Sequence, residues 1–260
     1  MRYQSILLER RGQAYYLTLN RPGDGNVLGA LMADEIAEAC RQIDEDENVR
    51  IVFLTGAGGV FCRGEDLEAS GSPGLSLAGS HCEPPARRAT SALGTLKLPL
   101  ICAIEGEAIG AGLELALCCD LRVASRDAVF ALPQASWGMI PSGGGTQRLP
   151  RLVGRAKALE MLLTAEPVDA SQALEVGLVN RVTEPGGALA GAEELALRIS
   201  ERAPIAVNYA KEAVAKGMDV PLDQGLRLEA DLSIILQTTA DRDEGIRAFL
   251  EKRKPLFKGE

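Results

Sequence analysis

The period of the hydrophobic pattern changes several times along the chain. Ser5–Arg10 and Ala14–Asn20 alternate apolar and polar residues, which predicts two strands joined as a hairpin near Arg11-Gly12-Gln13. Arg21-Pro22-Gly23-Asp24-Gly25 is a turn. From Leu28 to Glu45, apolar residues fall at helical spacing (Leu31, Ile36, Ala39, Cys40, Ile43). Val49–Thr55 is a short, β-branched run and Leu98–Glu105 is mostly apolar, and both read as buried strands. Arg87–Leu96 reads as helix, Gly110-Ala111-Gly112 opens a helix reaching about Cys119, and Leu121–Ala124 and Val129–Ala131 read as strands. Gly143-Gly144-Gly145 precedes helical segments at Arg148–Val153, Arg155–Thr164 and Ser171–Glu175, and the chain from Gly191 onward is almost wholly helical. Strand, turn and helix thus recur from Val49, Leu98 and Leu121, although these units share too little sequence to establish a repeat. The expected class is α/β with a helical C-terminal part.

Composition narrows the function classes. The chain has 260 residues, 46% hydrophobic and 25% charged, which fits one or two globular domains. Aromatics at 4% give no stacking platform for single-stranded nucleic acid. A net charge of −8 without a long basic stretch disfavours any nucleic-acid partner, and Arg87-Arg88 and Lys252-Arg253-Lys254 read as solvated surface. Six cysteines form no CxxC and there is one histidine, His81, so no metal site is expected. Several cysteines sit in apolar runs, as buried free thiols of a reducing compartment do. Met1–Asn20 lacks an apolar signal-peptide core and no apolar run reaches membrane-spanning length, so the expectation is a cytoplasmic protein with no membrane partner.

Four segments carry candidate chemistry. Thr55-Gly56-Ala57-Gly58-Gly59 follows a strand, but Phe61 stands where a dinucleotide fingerprint needs glycine and no helix opens there, which argues against that cofactor site. In Phe61-Cys62-Arg63-Gly64-Glu65-Asp66-Leu67, the glycine lets the backbone turn and frees the Glu65 amide to point away from the chain; a loop with an Asp helix cap fits equally. Gly110-Ala111-Gly112 places unpaired N–H groups and the positive end of a helix outward, where a carbonyl gaining negative charge is stabilised. Glu114 lies three residues on, among Leu113, Leu115, Ala116 and Leu117; it is either a costly buried carboxylate or the exposed face of an amphipathic helix. Phe130–Leu149 is a glycine- and proline-dense stretch around Trp137, and Glu68–Pro85 reads as a mobile surface loop able to wall a pocket.

In this order and spacing, these segments resemble the crotonase superfamily, the enoyl-CoA hydratase/isomerase fold. The resemblance runs from Leu19-Asn20-Arg21-Pro22 to Glu251-Lys252-Arg253-Lys254. It implies a crotonase-like spiral of ββα units over residues 1–195 bearing an acyl-CoA site, and a helical trimerisation region over 196–260. It implies a homotrimer or homohexamer and an acyl-CoA thioester substrate, coenzyme A being part of the substrate and no separate cofactor being needed. The oxyanion hole for the thioester oxygen falls on the backbone N–H groups of Glu65 and Ala111. The catalytic glutamate falls on Glu114, and the family's second glutamate position is Gln134, whose amide can orient water but cannot exchange a proton near neutral pH. CoA-binding positions fall on Arg63, Gly64, Asp66, Leu67, Phe249 and Lys252. The implied reaction is stabilisation of a thioester enolate, foremost hydration of a 2-enoyl-CoA or its reverse. Isomerisation, decarboxylation, thioester hydrolysis and acyl-CoA binding without turnover remain the alternatives.

Overall fold

The computed structural model describes residues 3–66 and 83–260. Backbone contacts group the chain into two units, Met1–Leu96 with Leu100–Glu193, and Lys97–Pro99 with Glu194–Glu260.

The first unit opens with strands β1 (Ile6–Arg11) and β2 (Ala14–Leu19), an antiparallel hairpin closed by Gly12 at φ +61°. Helix α1 (Ala30–Asp44) buries Met32, Ile36, Ala39, Cys40 and Ile43, the stripe its spacing predicts. Strand β3 (Ile51–Gly56) pairs parallel with β2, and α2 (Pro85–Gly94) packs on α1. Next come β4 (Leu100–Ile104), β5 (Glu107–Ile109), α3 (Ala111–Leu117), β6 (Leu121–Ser125), β7 (Val129–Ala131) and α4 (Gly145–Thr164). The unit continues with β8 (Val168–Asp169), α5 (Ala170–Glu175) and β9 (Arg181–Thr183), and α6 (Ala188–Ser200) leaves it.

Two sheets result. The larger has the order β1-β2-β3-β4-β6-β9, and the smaller has the order β5-β7-β8. Successive turns of chain place one strand in each: β4 pairs with β6 in the first sheet, and β5 pairs with β7 in the second, both parallel. A parallel bridge from Cys62 to Ala108 adds the preceding turn to the second sheet. Stacking ββα turns in this way makes the spiral that the resemblance implies. Every residue of β4 is buried, which is why its sequence runs apolar rather than alternating. Phe53, Phe61, Phe130, Leu17 and Leu54 fill the core.

Sequence pattern and structure part in several places. Strands β5, β8 and β9, of two or three residues each, fall outside the segments the pattern marks as strand. Helix α4 starts at Gly145 rather than Arg148 and carries Pro150 inside it; the break expected between Val153 and Arg155 is there, at Gly154 with φ +78°. Helix α2 starts at Pro85, not Arg87, with proline in the first turn where its missing N–H costs nothing. The expected loop from Glu68, with His81 and Cys82, lies through residue 82 outside the described residues.

The second unit holds the end of α6 and helices α7 (Pro204–Gly217), α8 (Leu222–Leu236) and α9 (Ala240–Glu251). Gly217 and Gly225 let α7 and α8 approach closely, a β-carbon on Gly225 lying 3.6 Å from the Gly217 Cα. Asp241 accepts backbone N–H bonds from Lys258 and Gly259, both 2.7 Å, tying the final residues to α9. Among the described residues no helix is long and apolar enough to cross a membrane.

Candidate active site

The site assembles where two glycine-bearing loops meet. The bridge between Leu28 and Glu65 is parallel: Leu28 N–H donates to Gly64 O at 2.7 Å and Asp66 N–H to Leu28 O at 3.1 Å. In that pattern the groups flanking Glu65 face Leu28, so the N–H of Glu65 itself faces the other way. Gly64, at φ +119°, makes the turn possible; a β-carbon there would lie 3.4 Å from the carbonyl oxygen of Ile109. On the facing loop, Gly110 has φ +52°, and a β-carbon on it would lie 3.7 Å from the Gly64 Cα. Ala111 follows as the first residue of α3, with no intrahelical acceptor for its N–H. Among the described residues neither the Glu65 nor the Ala111 amide has a hydrogen-bond acceptor.

Helix α3 is buried at all seven positions, so it has no solvent face to give Glu114, which is 0% exposed. The exposed-face reading of Glu114 is therefore wrong, and the buried one holds. Its Oε1 accepts from the N–H of Gly143 at 2.7 Å and of Gly145 at 2.8 Å. Gly145 opens α4, so the carboxyl caps the positive end of that helix. Arg148 donates to the carbonyl of Gly143 at 2.9 Å and braces the loop. Glu114 Oε2 is buried without a partner among the described residues. Burial pushes the carboxyl up to about 7; the two N–H bonds and Arg148 pull against this, and the nearby Glu65 adds to it.

Gln134 is buried in the 3-10 turn Pro133–Trp137 beside Gly110: a β-carbon on Gly110 would lie 3.4 Å from its Nε2. Its Oε1 is likewise buried without a partner among the described residues. Glu65, Ala111, Glu114 and Gln134 thus come together from three stretches of chain: the Gly64 loop, α3 and the Pro133–Trp137 turn. Arg63 lies at the margin, exposed, its Nε 2.5 Å from Glu107 Oε2. Asp66 has its carboxylate beside Gly29. Leu67 lies outside the described residues. Phe249 and Lys252 belong to the second unit; Phe249 is exposed on α9, and Lys252 ends that helix with a left-handed φ of +54°.

Two contributors have no motif of their own. Arg122 is buried and donates to the carbonyls of Leu178 at 2.7 Å and Cys119 at 2.5 Å, holding a cation at the C-terminal end of α3 and so fixing the helix that carries Glu114. The only available signal was an arginine in an apolar strand. Ser142 donates from Oγ to Glu65 Oε1 at 3.1 Å, across a separation of 77 residues that local pattern does not bridge.

A family profile described as enoyl-CoA hydratase/isomerase matches residues 9–260. The chain belongs to the enoyl-CoA hydratase/isomerase family. Within it, the chain is 38% identical to (E)-benzylidenesuccinyl-CoA hydratase of Thauera aromatica, over 98% of this chain and 99% of that one. It is 35% identical to crotonyl-CoA hydratase of Syntrophomonas wolfei, over 99% of each. The crystal structure of an enoyl-CoA hydratase from Bacillus anthracis superposes with a TM-score of 0.93 at 38% identity, covering 99% of this chain and all of that one. For a member of the enoyl-CoA hydratase/isomerase family, two amides without an acceptor among the described residues and a buried carboxyl are groups with chemistry to offer. The amides can hold an oxyanion, and a carboxyl poised near neutral pH can both accept and return a proton.

Proposed function

We propose that the protein is an enoyl-CoA hydratase, a hydro-lyase adding water across the double bond of a 2-enoyl-CoA thioester. The observation that carries this reading is Glu114, wholly buried and held through one oxygen by two backbone N–H groups, with the other oxygen unpartnered among the described residues. The amides of Glu65 and Ala111 bind the thioester oxygen and stabilise the enolate as negative charge reaches it. Glu114 as carboxylate takes a proton from water while the water oxygen bonds to the β-carbon, and returns a proton to the α-carbon on the same face as the enolate collapses, so that one water is added in sum. Gln134, an amide, orients that water without exchanging protons with it.

The resemblance assigns contacts with the coenzyme A moiety to Arg63, Gly64, Asp66 and Leu67 and, separately, to Phe249 and Lys252, which in some family members reach it from a neighbouring subunit; a cation such as Lys252 suits the phosphates. Coenzyme A arrives with the substrate and no other cofactor is required. The chain assembles as a trimer or a pair of stacked trimers; Leu222, Leu226, Ile234, Ile235 and Leu250, all exposed on α8 and α9, supply apolar surface for it. A reducing compartment, the cytoplasm, fits the free thiols of Cys40, Cys62, Cys102, Cys118 and Cys119.

Acyl-CoA binding without turnover is the weaker alternative. A binder has no use for a fully buried carboxyl, which destabilises the fold whenever it is charged. Loss of absorbance at the enoyl thioester band, measured beside a binding titration across acyl chain lengths, separates the two; binding with no turnover at any length contradicts the hydratase reading.

A further inference from the structure

Arg148 sits against the grain of its helix. It stands in the first turn of α4, three residues after Gly145, where the positive end of a helix disfavours a cation. Among the described residues it forms no ion pair with an acidic side chain. Its one side-chain hydrogen bond there runs from Nη1 to the carbonyl of Gly143 at 2.9 Å, and the N–H of the same glycine donates to Glu114 Oε1 at 2.7 Å. Cation and carboxyl therefore bond to one residue, at its two polar ends. The guanidinium is seated among glycines. A β-carbon on Gly144 would collide with Nη1, and one on Gly94, the last residue of α2, would lie 3.1 Å from Nη2.

Bracing Gly143 does not by itself call for a charge, since a neutral amide also donates to a carbonyl. The charge matters through Glu114. Hydration begins with Glu114 as carboxylate, whereas burial favours the neutral acid. A guanidinium keeps its proton at every working pH, so it opposes that preference throughout. Arg148 holds down both the Glu114 carboxyl and the Cys118 thiol, whose Sγ donates to the Glu114 carbonyl at 3.2 Å. The neighbouring elements offer no second cation. Glu65, from the Gly64 loop, pushes Glu114 up, and Thr90 of α2 and Gln134 are uncharged. Arg87 and Arg88 of α2 pair with Glu83 and Asp34, and Glu107 of β5 pairs with Arg63.

Resting on the hydratase reading above, we propose that Arg148 is a positioning residue of the site, whose cation keeps Glu114 in the carboxylate form that accepts the proton of water. It acts on Glu114 rather than on the substrate. Through Gly143 it fixes the N–H that holds Oε1, and through space its charge favours the ionised carboxyl. The cost of a cation at the start of α4 is offset by the carboxylate that caps the same end.

The test uses the full chain with crotonyl-CoA, and compares the parent, Arg148→Lys, Arg148→Gln and Arg148→Met. Lysine keeps the charge, glutamine keeps an N–H donor for Gly143 without the charge, and methionine keeps neither. Circular dichroism establishes that each is folded. The acid limb of the pH dependence of kcat/KM reports the proton on Glu114 in the free enzyme. Arg148→Gln and Arg148→Met are both expected to move that limb up by about one pH unit. Below the limb kcat/KM then falls by about 10-fold, and above it Arg148→Gln recovers to within about 3-fold of the parent. Arg148→Lys is expected to keep the limb within about 0.3 pH unit of the parent. Infrared titration of the carboxylic-acid band that Glu114→Gln removes reads the same movement without turnover. A parent acid limb and parent band titration in the two uncharged variants overturn the proposal. An equal movement in Arg148→Lys overturns it too, because the fork of the guanidinium rather than its charge would then be acting. The hydratase reading fails separately, if the parent does not hydrate crotonyl-CoA or if Glu114→Gln does so as well as the parent.

Discussion

The N–H of Gly143 donates to Oε1 of Glu114 at 2.7 Å, and a β-carbon on Gly143 would lie 3.1 Å from the Cδ of the same carboxyl. The glycine is therefore both the holder of the carboxyl and the reason it fits. The Thr90 methyl, also 3.1 Å from that β-carbon, closes the other side. Gly143→Ala should displace Glu114 or Thr90 by a few tenths of an ångström. Misplacing a reacting group by less than 1 Å is expected to lower kcat by about 10-fold, with thermal stability little changed. Parent kinetics in this variant would show that the carboxyl tolerates a looser seat.

The raised pKa of Glu114 makes a stability prediction with a definite sign. The carboxyl moves from the ordinary 4.5 to about 7 on folding, so the folded state binds protons more tightly than the unfolded chain. Its stabilising contribution is complete below about pH 4.5 and is lost as pH rises through 7. Glu114→Gln removes this dependence. Between pH 4.5 and 8, the variant should gain on the parent by on the order of 3 kcal/mol in urea denaturation. A stability difference that stays constant across that range would contradict the buried, uncharged state.

Ala111→Pro isolates the second amide. Proline is tolerated at the first position of a helix, where its missing N–H leaves no helical bond unmade. Gly110, at φ +52° and ψ −120°, is in a mirror-image extended conformation, open to glycine and compatible with a following proline. The substitution should leave folding intact and lower kcat by about 10²–10³-fold, the cost of one oxyanion donor. Circular dichroism with steady-state kinetics checks both halves; unchanged kcat in a folded variant would remove Ala111 from the oxyanion site.

Much of this architecture is legible in the residues, for physical reasons. Strand β7 coincides with the predicted Val129–Ala131, since Val129-Phe130-Ala131 lies between turn residues. The break at Gly154 shows because a glycine interrupts an otherwise continuous helical period. The burial of Glu114 is not legible: α3 spans seven residues, about two turns, and with every face covered its sequence has no polar stripe from which to tell inside from outside. The Glu65–Ser142 contact and the capping of α3 by Arg122 are tertiary, made between residues far apart or through backbone carbonyls, and no local pattern encodes them.

The apolar surface of α8 and α9 predicts association. Light scattering at micromolar concentration should give a mass of three or six chains. Leu226→Glu, on α8 at a position 54% exposed in the single chain, should shift the population toward smaller species while leaving helical content unchanged. A parent that is monomeric at that concentration would contradict the assembly.

The central claim is that Glu114 transfers the proton in hydration, and one comparison reaches it most directly. Hydration of crotonyl-CoA is followed by loss of the enoyl thioester absorbance, for the parent and for Glu114→Gln at equal concentration. The glutamine is nearly isosteric and its carbonyl oxygen can still accept from Gly143 and Gly145, so binding should persist. The account predicts clear turnover by the parent and a kcat lower by at least about 10²-fold in the variant, with KM changed little. Equal turnover by the two proteins would contradict it.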